Sequence, residues 1–164
     1  MNQYRYLLLL PLLLLSLILF SGCSDSGRPT DLPPLFSCTV AVTQGGAALE
    51  GAYVELVSPE AQKYRPSATT DASGNAVMKT YGFPGAPAGK YKILVSKMIE
   101  DDIVYGTDEY GGRAVVSSNK YQMVNSDYSK ADTTPHEVEV AAKGKTQTTI
   151  DTGEPVRVRM RGND

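Results

Sequence analysis

Glu100, Asp101 and Asp102, with Asp108 and Glu109 shortly after, form the densest group of carboxylates in the sequence. Paired carboxylates can serve as general acid and base, or hold a divalent cation through their oxygens. On a polar loop the same charges often do no more than solvate the chain, and that is the plainer reading of this group. Asp71, Ser73 and Asn75 alternate as the early ligands of a calcium loop do, but such a loop also needs a bidentate Glu further on, where Gly82 stands. His136, the one histidine, follows Pro135 at the start of a strand-like run and reads as a solvated loop-to-strand residue. No Gly-x-Ser-x-Gly elbow occurs and no nucleophile–histidine–carboxylate set can be assembled. With two cysteines in all, a cysteine metal site is not available. These residues predict a non-catalytic protein without cofactor; the alternative is a metal-dependent or hydrolytic enzyme using the acidic segment 100–109.

Cys23 carries a different chemistry. The chain opens with Arg5 as its one positive charge and then an apolar run from Leu7 to Phe20, interrupted by Pro11 and Ser16. A membrane-spanning helix needs about 20 apolar residues and a signal-peptide core roughly 7–15, so this run fits a signal peptide. Ser21, Gly22 and Cys23 then match a bacterial lipobox, with Phe20 where leucine is usual. Small residues before Cys23 admit the backbone to a protease, and the Cys23 thiol is the nucleophile that takes up diacylglycerol. The alternative is an ordinary signal peptide, with Cys23 free or paired with Cys38. The segment from Ser24 to Pro34 is small, polar and proline-bearing, and reads as a flexible tether. This predicts a signal peptide over 1–22, a lipidated tether over 23–35 and a single domain over 36–164. The expected location is the bacterial cell envelope, anchored through lipid. Ser24 stands where an aspartate would favour inner-membrane retention, so the outer membrane is the expected one.

The net charge is −2, and removing Arg5 with the leader leaves the remainder slightly more acidic. There is no basic block, zinc pattern or charged helical stripe to suit nucleic acid. Tyr105, Tyr110, Tyr121 and Tyr128 fall in one long polar stretch and are candidate ligand contacts. A flat ring can stack on a sugar or peptide while its hydroxyl bonds. The plainer reading is that Tyr121 and Tyr128 pack that stretch back on a sheet. Arg157, Arg159 and Arg161 form a stripe that could meet an anionic glycan or headgroup, or shield a sheet edge from aggregation. The partners expected are therefore the membrane, through the anchor, and an envelope protein or glycan.

The elements that must position these residues are short alternating runs broken by Gly, Pro, Asp and Asn. Strands are predicted at 37–43, 52–58, 64–70, 76–81, 89–97, 136–142, 146–151 and 155–162. Cys38 falls on the first and reads as a small buried apolar residue. In the last, Val156, Val158 and Met160 alternate against the arginines. No run shows a sustained helical period, and this pattern predicts an all-β sandwich. Residues 98–135 break the spacing and read as one long loop with a single strand-like run, Arg113–Ser118.

Three stretches taken together resemble a known family. They are "GAYVELV" with "TTDASGNAVMKT", then "GAPAGKYKILVSK", then "NKYQMVNSDYSKADTTPHEVEV". Behind a lipobox, they are similar to bacterial lipoproteins carrying a carboxypeptidase regulatory-like, transthyretin-like domain, over roughly residues 36–151. The resemblance implies a seven-stranded Greek-key β-sandwich of prealbumin type. Two activities known on related topologies do not transfer. Transthyretin-related hydrolases of 5-hydroxyisourate use several histidines and a terminal Tyr-Arg-Gly-Ser, whereas this chain has His136 alone and reads Met160-Arg161-Gly162-Asn163 at the corresponding place. Self-crosslinking pilin or adhesin domains join a lysine of the first strand to an asparagine of the last, and Phe36–Thr43 contains no lysine.

Overall fold

The computed structural model describes residues 27–58 and 63–160; Cys23, the leader and Arg161 lie outside the described residues. The chain divides into two units, Met1–Leu32 and Pro33–Asp164. In the first, the described stretch holds a turn closed by the Leu32 N–H on the Pro29 carbonyl at 3.1 Å.

The second unit is all-β. In chain order its strands are β1 (Leu35–Gln44), β2 (Ala47–Ala48), β3 (Tyr53–Val57), β4 (Ser67–Thr69), β5 (Asn75–Val77), β6 (Lys79–Thr80) and β7 (Phe83–Pro84). There follow β8 (Ala86–Pro87), β9 (Gly89–Ser96), β10 (Met98–Thr107), β11 (Arg113–Gln122), β12 (Glu137–Val140), β13 (Lys145–Asp151) and β14 (Val158–Arg159). A 3₁₀ turn, Ser126–Ser129, lies between β11 and β12.

Two of the three sheets enclose the core. One is built on β1, which pairs with β13, β2, β5 and β8; the other runs β12-β9-β3-β4-β6-β7. Alternation explains the facing. Cys38, Val40 and Val42 of β1 point inward, as do Tyr91, Ile93 and Val95 of β9, and together with Val54, Leu56, Met78 and Ile150 they form one apolar cluster. Side chains of a strand alternate between faces, so one face of each sheet can be apolar throughout. The buried hydroxyls are satisfied within the core: Thr70 Oγ1 accepts from the Ala52 N–H at 2.8 Å and donates to the Leu49 carbonyl at 2.5 Å. Cys38 is a free thiol, 1% exposed, and burial pushes its pKa up to about 11.

Gly74 shows why the turn before β5 has its sequence. Its φ is +78°, and a Cβ there would lie 2.5 Å from the Val42 carbonyl oxygen, so only glycine fits. Asp71 Oδ1 accepts from the N–H groups of Ser73 and Asn75, each at 2.9 Å. The alternating Asp71, Ser73 and Asn75 therefore close a turn, with the carboxylate spent on backbone donors.

The structure departs from expectation in three places. The strand order is not specifically a seven-stranded prealbumin Greek key: β1 and β13 pair in parallel, Ser37 opposite Lys145 through Thr43 opposite Asp151, and a third sheet, β10-β11-β14, stands apart. Residues 98–122, expected to be loop, form a long antiparallel hairpin of β10 and β11. Of the strand expected over 155–162, the described residues form only β14, and Val158 and Met160 are 57% and 43% exposed.

Candidate functional site

The hairpin leaves the sandwich at the end opposite to where the chain enters. At one end of β1, Leu35 pairs with Pro87. At the other, Gln44 Nε2 donates to the Met123 carbonyl at 2.8 Å, and the Met123 N–H donates to the Lys97 carbonyl at 2.8 Å, closing the hairpin base. Ten strand residues at roughly 3.3 Å each place about 30 Å between these ends.

A short C-terminal arm steadies the hairpin base. The Asp151 carboxylate, at the end of β13, accepts from Thr43 Oγ1 at 2.6 Å, the Gly153 N–H at 2.7 Å and the Gly46 N–H at 3.0 Å. These donors, the Thr43 hydroxyl first, hold its pKa below the ordinary carboxylate value. Beyond this knot, β14 pairs with β11, Arg159 opposite Tyr121 and Val158 opposite Gln122. The Met160 N–H adds a bond to the Lys120 carbonyl at 2.8 Å. Arg157 bridges to Asp101 at 2.7 Å, and its guanidinium lies 4.2 Å from the centroid of the Tyr121 ring.

The four candidate tyrosines are thereby separated in role. Tyr121 is half-buried: Arg157 covers its ring, and its hydroxyl donates to the Asp102 carboxylate. That bond lowers the pKa of Asp102, helped by Asn119 Nδ2 at 3.1 Å, and raises that of Tyr121, so the proton stays on the phenol. Tyr128, on the 3₁₀ turn, packs against the core and stacks on His136 with centroids 5.4 Å apart and planes 12° from parallel. Tyr105 stands on the distal part of β10 with the Arg113 guanidinium 3.7 Å from its ring centroid. Tyr110 sits in the hairpin turn and is 89% exposed. The structure does not gather the four into one platform. Tyr128 packs on the sandwich as expected, whereas Tyr121 packs within the hairpin's own sheet.

The carboxylates are likewise dispersed. Glu100 accepts from the Ser118 hydroxyl, Asp101 pairs with Arg157, and Asp102 holds Tyr121 and Asn119. Asp108 builds the hairpin turn, accepting from the Gly112 N–H at 2.6 Å and the Tyr110 N–H at 3.0 Å. Among the described residues no three acidic, histidine or cysteine side chains converge as a metal site would require. His136 Nε2 lies 3.0 Å from the Asp151 carbonyl oxygen, to which it donates, and so occupies a structural position. The described surface hollows include one of about 80 Å³ lined by Tyr53, Glu55, Leu94, Val95, Ser96 and Ser129, and one of about 230 Å³ lined by Lys90, Glu137, Val138 and Glu139. Small-molecule sites typically exceed about 300 Å³.

Sequence reasoning missed the apolar surface of the hairpin. Ile103, Val104 and Tyr105 on β10 are 40%, 53% and 48% exposed, and Val115 and Val116 on β11 are 56% and 68% exposed. Adjacent valines at 115 and 116 were the available signal, since a strand with one face on a core would alternate there.

No family model matches the chain, and no curated protein matches it. Among solved structures it is similar to the major pilin subunit of Bacillus cereus in a crystal structure, with a TM-score of 0.39 and 17% sequence identity. That likeness covers 76% of this chain and 30% of the pilin, so the chain spans less than a third of that protein's length.

Proposed function

We propose that this chain is a non-catalytic, lipid-anchored module of the bacterial cell envelope, with a structural or binding role toward a protein or glycan. The observation that carries the reading is the placement of the hairpin. The expected tether feeds into the Leu35 end of β1, and the hairpin leaves from the Gln44 end. A sandwich with a filled core then serves as a rigid spacer between anchor and hairpin. The anchor rests on the sequence of the leader and on Cys23 as the acylated residue, with the outer membrane as its site. The resemblance to transthyretin-like lipoprotein modules supports the same reading from sequence motifs.

Non-catalytic character is supported by how the acidic residues are used. Each of Glu100, Asp101, Asp102 and Asp108 has a partner of its own in the hairpin or the arm, which leaves no pair poised on a shared point. Calorimetry of the purified chain with calcium and with zinc tests this directly. Flat titrations, with no rise in melting temperature, are expected. Tight binding of either ion, lost on Asp101→Asn or Asp102→Asn, would return the acidic segment to consideration as a metal-dependent centre.

A further inference from the structure

The C-terminal arm is attached at its two ends in different ways. Its root is fixed to the sandwich. The Thr152 N–H and hydroxyl both donate to the Thr43 carbonyl, at 2.9 and 3.1 Å, and the Gly45 N–H donates to the Gly153 carbonyl at 2.8 Å. Thr152 is 1% exposed. Past Gly153 the character changes: from Glu154 to Met160 no residue is buried, and only Val156 is half-buried. Among the described residues this outer part holds the hairpin by the short β14 pairing, the Met160 bond and the Arg157 side chain. The Arg157–Asp101 bridge is itself open to water, with side chains 48% and 51% exposed. The hairpin base is tied separately, by Gln44 on the Met123 carbonyl and by Lys97 Nζ on the Glu50 carbonyl at 2.7 Å. The arm grips higher, at Lys120 and Asp101. From Met123 to Lys120 is three strand residues, about 10 Å, so the arm works as a stay against tilting of the hairpin.

We propose that the outer arm is a releasable strap, hinged at Gly153 and Glu154, which sets the tilt of the hairpin on the sandwich and lets go as ionic strength rises. The device does not depend on the lipid anchor. Segments with few buried apolar contacts and exposed backbone bonds open locally, without unfolding the core. Here the boundary between fixed and releasable parts falls at Gly153, whose φ is +72°. The charged groups at the contact are Glu154, Arg157 and Arg159 on the arm, and Glu100, Asp101, Asp102 and Lys120 on the hairpin. The arm therefore brings net positive charge to a net acidic surface. At 1 M salt the screening length falls to about 3 Å, which weakens an exposed attraction of this kind. With the strap open, Tyr121 loses Arg157 from its ring but keeps Asp102 on its hydroxyl. The hairpin then keeps only its base ties and swings about them.

Amide exchange of the purified full chain, read residue by residue, tests the strap and its hinge. The reporter is the Met160 N–H, bonded to the Lys120 carbonyl; the Thr152 N–H reads the root, and the Ile93 N–H, bonded to the His136 carbonyl, reads the core. Raising salt from 0.05 to 1 M should speed exchange at Met160 about two- to fivefold, the worth of an exposed ion pair, with Thr152 and Ile93 unchanged. Arg157→Gln, which removes the bridge and the ring contact together, should speed Met160 about 3- to 30-fold and abolish the salt response. Arg157→Lys, which keeps the charge, should keep that response. Residual dipolar couplings read the tilt. The wild-type hairpin and sandwich should share one alignment tensor at low salt, whereas the hairpin of Arg157→Gln should need a smaller tensor of its own. Exchange at Met160 that is as slow as at Ile93 or indifferent to salt would overturn the proposal. So would a salt response that survives in Arg157→Gln or is lost in Arg157→Lys, exchange at Thr152 rising in step with Met160, or one shared tensor in Arg157→Gln.

Discussion

Replacing Tyr128 with alanine separates a packing role from a ligand-binding one. The ring is partly buried, lies against the core cluster and stacks on His136 at 5.4 Å. Truncating a fully buried aromatic side chain costs about 3–5 kcal/mol. Tyr128 is intermediate in exposure, so roughly half that loss, about 2 kcal/mol, is expected. For a domain of this size, 1 kcal/mol corresponds to about 3–5 °C, so the melting temperature should fall by about 6–10 °C. Urea unfolding followed by far-UV dichroism measures the change as a shift in midpoint at unchanged slope. Tyr110→Ala is the internal control: at 89% exposure it should stay within about 0.5 kcal/mol of wild type. A Tyr128→Ala variant as stable as Tyr110→Ala would refute the packing argument, and only if it also lost binding on a glycan array would Tyr128 be a ligand platform.

Thr70→Val should cost about 2 kcal/mol in urea unfolding, because it strips the Ala52 N–H and the Leu49 carbonyl of a buried partner. Cys38 should resist iodoacetamide at pH 8 in the native protein and react quickly once unfolded, since burial raises its thiol to about 11; reductant should not move the unfolding midpoint. The depressed pKa of Asp151 gives a signed pH dependence. Its contribution is complete above the unfolded carboxylate value of about 3.9 and is lost as pH falls through the lower folded value. Unfolding midpoints measured from pH 5 downward should therefore drop, and Asp151→Asn should flatten part of that drop. Arg157→Ala should speed amide exchange at the base of β11 while leaving β9 and β3 unchanged, because the arm braces only the hairpin.

Alternation made the sandwich legible in the sequence wherever a strand has one face on the core. "SCTVAVT", "YVELV" and "KYKILVS" each place small or apolar residues at every second position, and each is a strand with that face buried. The hairpin gave no such signal because neither of its strands lies on the core. Val115 and Val116 are both exposed, so no inward face imposed a period on "RAVVSSN". The same reason explains the opposite error at "PVRVRM". Its alternation is regular, but β14 meets the hairpin rather than the core, and Val158 and Met160 remain exposed. The parallel pairing of β1 with β13 joins residues more than 100 positions apart, and nothing local to either strand encodes it. Among the site residues, tyrosines were legible as a class, but their separate fates depend on Arg113, Arg157 and His136, which come to them through pairing across strands and from distant segments.

Acylation of Cys23 is the premise that turns the sandwich into a spacer, and phase partition of the protein from cells measures it most directly. The wild-type chain should enter the detergent phase. Globomycin should stall its processing, and Cys23→Ala should remove the mature form from that phase. If Cys23→Ala, or treatment with globomycin, leaves both processing and partition unchanged, the chain is not anchored through Cys23 and the account is contradicted.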